Sequence, residues 1–194
     1  MKKFAVIVTK VVFGLFYRVE LVNREKIPET GSAILCANHN TILDMFFLGY
    51  RLKRWICWMA KEELFRNPIA AWIFRSLGAF PVKRGTGDVS SIKTAYRLLE
   101  EGKIIGIFPH GTRLNAANVN TVRIKSGAAM LAANSGAYII PAAVQGSYRL
   151  FSRMKVIYGD PFKVESNKKY TGEELSEISR EIVKRIYALL EESR

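Results

Sequence analysis

The chain has 194 residues, 49% of them hydrophobic and 11% aromatic, enough for one domain with a real core and too few for two of ordinary size. No low-complexity run interrupts it, so a disordered protein is excluded. Thirty Lys and Arg face 17 Asp and Glu, a net charge of +13, and residues 161–194 hold seven of each sign. The basic excess therefore belongs to residues 1–160. Such a field favours an anionic partner, whether nucleic acid, anionic lipid headgroups, a phosphorylated substrate or an acidic protein, and composition leaves that choice open. Cys36 and Cys57 lie in apolar segments without metal-ligand spacing, which disfavours a disulfide scaffold and a zinc site. Both read as core thiols in a reducing compartment.

Phe4 to Tyr17 is nearly all apolar, with Lys10 inside it and Lys2, Lys3 and Arg18 at its flanks. Fourteen helical residues span about 21 Å, short of a hydrocarbon core of about 30 Å, so a transmembrane span is not expected. At the helical angle Phe4, Ile7, Val8, Val11 and Leu15 share one face, with Lys3 and Lys10 roughly opposite and Val6 and Phe13 off the pattern. The expectation is a helix lying in the bilayer interface over residues 1–18, ahead of one domain over 19–194. The alternatives are a helix packed on its own domain and a signal peptide, for which no small-x-small cleavage site follows.

Beyond a strand-like start at Tyr17 to Glu20, apolar and often β-branched runs predict strands at Ala33–Ala37, Trp55–Ala60, Ile104–Phe108, Tyr138–Val144 and Lys155–Tyr158. Helical segments lie between them. Asn67-Pro68 opens one with Ile69, Trp72, Ile73 and Leu77 on a face, closed by Gly78. Asp88 opens another with Ile92, Ala95, Tyr96 and Leu99 on a face, stopped by Gly102. Thr171 and Glu174 form a capping box ahead of Leu175, Ile178, Ile182, Ile186 and Leu189. Asn115 to Asn120 reads as a flexible loop. Alternation of strands and helices predicts a single α/β domain with a largely parallel central sheet flanked by helices, its ligands at the carboxyl ends of the strands.

Both histidines, His39 and His110, stand just past the end of a predicted strand. His39 precedes Asp44 by five positions. On a continuous helix that offset turns about 140° and separates the side chains, so the two meet only if His39 lies before the first turn and Asp44 reaches back. A base with its orienting carboxylate is one reading; the other is that Thr41-x-x-Asp44 caps the next helix. His110 belongs to Phe108-Pro109-His110-Gly111-Thr112-Arg113, a turn able to present amides and a guanidinium to an anion. Pro81-Val82-Lys83-Arg84-Gly85 places two cations beside a glycine. Taken singly, Arg84 and Arg113 read as solvated surface charges.

In this order the segments resemble the bacterial 1-acyl-glycerol-3-phosphate acyltransferases of the glycerolipid acyltransferase family, from Val19 to about Phe162. The likeness rests on Asn38-His39 with Asp44, on Phe80 to Gly85, on Phe108-Pro109-x-Gly111-Thr112-Arg113, and on Ile140-Pro141 with Lys125 to Ala129. The resemblance implies His39 as general base and Asp44 as its partner. It further implies Arg84 and Arg113, with Lys83 beside them, as ligands of the acceptor phosphate, and Gly111 and Thr112 as part of the acceptor loop. His110 departs from the family pattern, which usually has Glu there, and is a candidate second phosphate donor.

Acyl transfer from a thioester to an alcohol needs a base, a place for the acceptor's charge and an apolar channel. It calls for no metal and no cofactor. No Gly-x-Ser-x-Gly elbow is present, so direct attack is expected, with backbone amides after Phe108-Pro109 or after His39 as candidate oxyanion donors. The expected activity moves an acyl group from acyl-CoA or acyl carrier protein to lysophosphatidic acid, giving phosphatidic acid in phospholipid biosynthesis. It takes place peripherally at the cytoplasmic face of a membrane with anionic lipids. Trp72, Ile73 and Phe74 either dip into that interface or belong to the core. The alternatives are another acceptor, such as glycerol 3-phosphate or a different lysolipid, and a lipid-binding relative without catalysis. A nucleic-acid binder lacks an aromatic-basic recognition motif and is not expected.

Overall fold

The computed structural model describes residues 2–83, 88–112, 123–166 and 168–192, the side chains of residues 2–6 and 8 excepted. The strands are β1 (Arg18–Val22), β2 (Ala33–Ala37), β3 (Ile56–Lys61), β4 (Phe80–Val82), β5 (Ile104–Ile107), β6 (Tyr138–Gly146) and β7 (Arg153–Tyr158). The helices are α1 (Lys2–Phe16), α2 (Asp44–Gly49), α3 (Pro68–Ser76), α4 (Val89–Glu100), α5 (Gly127–Ser135) and α6 (Gly172–Glu191). The strands form one sheet in the order β1-β7-β6-β2-β5-β3-β4. Every neighbouring pair is parallel except β6 and β7. Six residues between those two strands suit a reversal and are too few for a crossover.

The central strands explain the two-sided core. Every residue of β2 and β5 is buried, as expected of strands covered on both faces. Side chains alternate across a strand, so Ala33, Leu35 and Ala37 join one core with Phe13, Phe47 and Leu48. Ile34 and Cys36 join the other with Leu98, Ala129 and Ile182. Helices α1 and α2 thus cover one face and α4, α5 and α6 the opposite one. Asp88 caps α4 by accepting from the Ser90 and Ser91 amides, and Thr171 and Glu174 close both halves of their capping box on α6.

The sequence pattern predicts neither α5 nor the three-residue strand β4, and it leaves the placement of α3 and α1 open. Helix α5 is alanine-rich and buried on most sides, so it carries no polar face whose period would reveal it. Helix α3 forms where expected, but none of its residues is buried. Ile69, Trp72 and Ile73 are 69%, 60% and 43% exposed, so of the two placements left open by the sequence this face lies outside the core, whereas Phe74 is partly buried against it. In α1 the off-pattern Phe13 is the buried anchor, its ring 4.7 Å from Phe47 and 5.6 Å from Tyr17. Ile7, Val11 and Leu15 remain exposed, while the side chains of Phe4 and Val8 fall outside the described residues.

One glycine is demanded by a close approach. Gly106 of β5 is in register with Leu35 on one side and Trp58 on the other, and a Cβ there would lie 2.3 Å from the Trp58 ring. That ring has little room to yield, because it stacks on Phe108 at 5.0 Å. Replacing Gly106 by Ala should lower stability by about 1–3 kcal/mol, seen as an earlier urea midpoint; an unchanged midpoint would show that the indole is free to move.

Candidate active site

Parallel pairing sends β2, β3, β4, β5 and β6 in one direction, so their carboxyl ends meet at a single edge of the sheet. Asn38 is the first residue past β2. Its side-chain amide imitates one more rung of the ladder, donating to the Val144 carbonyl at 2.9 Å and accepting from the Val144 amide at 2.8 Å. The backbone can then leave the sheet while its exit stays fixed, and His39 follows.

Asp44 is the first residue of α2 and has no exposed surface. Its Oδ2 accepts from the Asn40 amide at 2.7 Å, the Thr41 amide at 2.9 Å and His39 Nδ1 at 2.9 Å. Its Oδ1 accepts from the Tyr148 hydroxyl at 2.5 Å. Both local expectations are thereby reconciled. His39 sits ahead of the helix and Asp44 reaches back to it, while the same carboxylate ties the turn. The capping box itself is altered, for Thr41 Oγ1 accepts from the Leu43 amide at 3.1 Å. A carboxylate can only accept, so Nδ1 carries the proton and Nε2 is the ring's basic nitrogen. The Tyr158 hydroxyl donates to the Leu48 carbonyl at 2.8 Å and pins α2 to β7.

The imidazole also has a floor. It stacks on Phe108 with centroids 3.8 Å apart and planes 10° from parallel, and Phe108 stacks in turn on Trp58. His39, Met45, Met59, Lys61, Phe108 and Thr112 line a cavity of about 260 Å³. A second cavity of about 270 Å³ shares Met59 and Phe108 and reaches Lys83, Gly111 and Lys125. A third, apolar and about 140 Å³, shares Met45 and runs beneath α1 and α3 past Phe46, Trp58 and Phe74.

The structure thus brings His39, Asp44, Thr112, Gly111 and Lys83 to one edge of the sheet. Arg84, Arg113 and the loop from Asn115 to Asn120 lie outside the described residues. His110 lines none of these cavities; its ring lies edge-on to Tyr187 of α6 at 6.4 Å. Burial holds its imidazole below the ordinary value, which favours the uncharged ring at neutral pH. The Asn40 and Thr41 amides, candidate oxyanion donors, are already engaged by Asp44. Cys36 is fully buried, and burial pushes its thiol up to about 12, so it is no ready nucleophile. Tyr148 and the Trp58–Phe108 stack went unread in the sequence. Their only signal is position, just past β6, within β3 and just past β5. Among the described residues no group of three or more His, Cys, Asp or Glu is arranged to hold a metal ion.

A parallel α/β sheet with a paired imidazole at its carboxyl edge, beside partly apolar cavities, has the parts of an enzyme that works through a general base. Residues 18–145 match the family model described as Acyltransferase, and the chain belongs to that family. It is 37% identical over 167 residues to the 1-acyl-sn-glycerol-3-phosphate acyltransferase of Bacillus subtilis (strain 168), covering 83% of this chain and 82% of that one. It is 29% identical over 180 residues to the enzyme of the same name from Streptococcus pneumoniae (strain ATCC BAA-255 / R6), spanning 89% of this chain and 66% of the relative. In three dimensions it resembles the crystal structure of the 1-acyl-sn-glycerophosphate acyltransferase from Thermotoga maritima. The TM-score is 0.70 at 25% identity, over 97% of this chain and 78% of that one.

Proposed function

We propose that the protein is a 1-acyl-sn-glycerol-3-phosphate acyltransferase, which esterifies the free hydroxyl of lysophosphatidic acid to give phosphatidic acid. The observation that carries the reading is the 2.9 Å contact between Asp44 Oδ2 and Nδ1 of His39, whose ring lines a cavity, in a chain of the acyltransferase family. Nε2 of His39 takes the proton of the acceptor hydroxyl while its oxygen attacks the thioester carbonyl of acyl-CoA or acyl carrier protein. The tetrahedral adduct collapses, the carbon–sulfur bond breaks, and the proton passes from the imidazolium to the leaving thiolate. Asp44 keeps the imidazole in the useful tautomer and balances its charge in the transition state. Direct attack is supported by the burial of both cysteines.

Phosphate positioning is assigned to Arg84 and Arg113, with Lys83, Gly111 and Thr112 beside them. Lys83 and Lys125 border the neighbouring cavity together with Asp88, so its charged lining is positive on balance toward an entering anion. Burial favours the neutral form of His110, so as a phosphate ligand it acts as a neutral donor. The apolar cavities adjoining the site offer room for acyl chains. In the thiol-release assay with acyl-CoA and lysophosphatidate, His39→Ala should lower kcat by about 10²–10⁴-fold. Equal release by the variant and the parent would overturn the mechanism.

Attachment to a membrane surface is supported by a separate observation. Ile7, Val11 and Leu15 of α1 and Ile69, Trp72 and Ile73 of α3 are exposed on helices that border one cavity, and Arg51 and Lys53 line that cavity too. Among the described residues no helix is long and apolar enough to cross a bilayer. We infer peripheral docking through these faces on the cytoplasmic side. Replacing Ile7, Val11 and Leu15 by Ser should cut co-flotation with anionic vesicles at least about tenfold, given the apolar area each would bury; undiminished flotation would contradict docking by this face.

A further inference from the structure

We propose that Tyr148 is a positioning residue for the His39–Asp44 pair, delivered by the β6–β7 turn and braced by the end of α1. The proposal deepens the acyl-transfer reading and rests on it for its kinetic consequences. Three donors converge on Asp44 Oδ2, and the Tyr148 hydroxyl is the donor to Oδ1, at 2.5 Å. It therefore fixes the rotation of the carboxylate about its own bond, and with it the plane in which Oδ2 meets the imidazole. Asn40 Nδ2 donates to the same phenolic oxygen at 3.3 Å, leaving the hydroxyl proton for Asp44. Burial first, and then the neighbouring carboxylate, pushes the phenol upward, so the group stays a donor throughout the working pH range.

The backbone bears the mark of this duty. Tyr148 has φ 54° and Phe151, in the same turn, φ 64°, a left-handed conformation that bulky residues rarely adopt. Such strain persists only where surrounding contacts over-determine it, and here they come from the end of α1. The Tyr17 hydroxyl donates to the Tyr148 carbonyl at 3.3 Å, and the Phe151 amide donates to the Phe16 carbonyl at 2.7 Å. The rings of Phe16 and Phe151 lie 6.0 Å apart, and that of Tyr148 packs 6.0 Å from Phe47. An unbroken chain of contacts thus joins the helix whose outer face is exposed and apolar to the carboxylate behind the base.

The test is Tyr148→Phe, which keeps the ring against Phe47 and deletes only the hydroxyl. We expect kcat to fall roughly tenfold, as for loss of a hydrogen bond to a charged group, with KM for both substrates within about twofold. The hydroxyl draws charge from Asp44. Without it the carboxylate holds the protonated imidazole more tightly, so the acidic limb of kcat/KM should move to higher pH, by roughly half a unit. Tyr17→Phe should shift the same limb in the same direction by less. A Tyr148→Phe enzyme with the parent's kcat, or with a lower kcat, a lower melting temperature and an unmoved limb, would overturn the proposal. The low-field proton signal of His39 Nδ1 provides a readout independent of activity. If the parent releases no thiol, the acyl-transfer reading fails; a signal that moves in Tyr148→Phe then still upholds the positioning role, and one that stays put refutes it.

Discussion

A carboxylate with no exposed surface is costly to keep in a protein unless donors replace its water. Asp44 meets that requirement with two backbone amides, a phenol and an imidazole. The amides belong to residues between it and His39, so the turn that supplies them is the turn that places the histidine. The phenol comes from 104 residues downstream, so closing the shell also requires the β6–β7 reversal to be in place. Satisfying one buried charge therefore couples local chain path, tertiary assembly and the tautomer of a base.

The rest of the architecture serves the same end. Parallel strands bring the segments after β2, β5 and β6 to one edge, and the amide of Asn38 secures the exit of β2 by pairing with Val144. A side chain is given up at Gly106 so that Trp58 can lie across β5, supporting Phe108 and through it the face of His39. The imidazole is thus constrained at one nitrogen by charge and across its plane by packing. Pre-organisation of this kind reduces what a reaction must spend on orientation. The α1–β1 corner that braces Tyr148 continues into the exposed apolar face of α1, so that face and His39 stand at two ends of one packed path.

Much of this was legible in the sequence, for identifiable reasons. The strand runs were readable because both faces of the sheet are covered, and α4 and α6 because their caps and periods agree. The five-residue spacing allowed His39 and Asp44 to meet only with the histidine ahead of the helix and left capping open beside it; the carboxylate makes both kinds of contact. Where legibility ended, the controlling contacts were distant or the pattern was absent. Helix α5 has no polar stripe, and the face of α3 has the period of a core helix while facing outward. Periodicity records that a face is apolar and says nothing of what covers it. Tyr148 carries no local motif, since its partner is reached only through the β6–β7 turn. The family likeness implied His39 and Asp44 together, yet the donor to the second carboxylate oxygen emerged only from the packed fold.

The central requirement is that Asp44 hold His39 in the form whose Nε2 is free to take a proton. Nitrogen-15 NMR of the imidazole in this chain at alkaline pH tests this most directly. The expected result is a neutral ring protonated on Nδ1, with Nε2 showing the shift of an unprotonated nitrogen, and loss of that preference in Asp44→Ala. A ring protonated on Nε2, or one indifferent to Asp44, would contradict it.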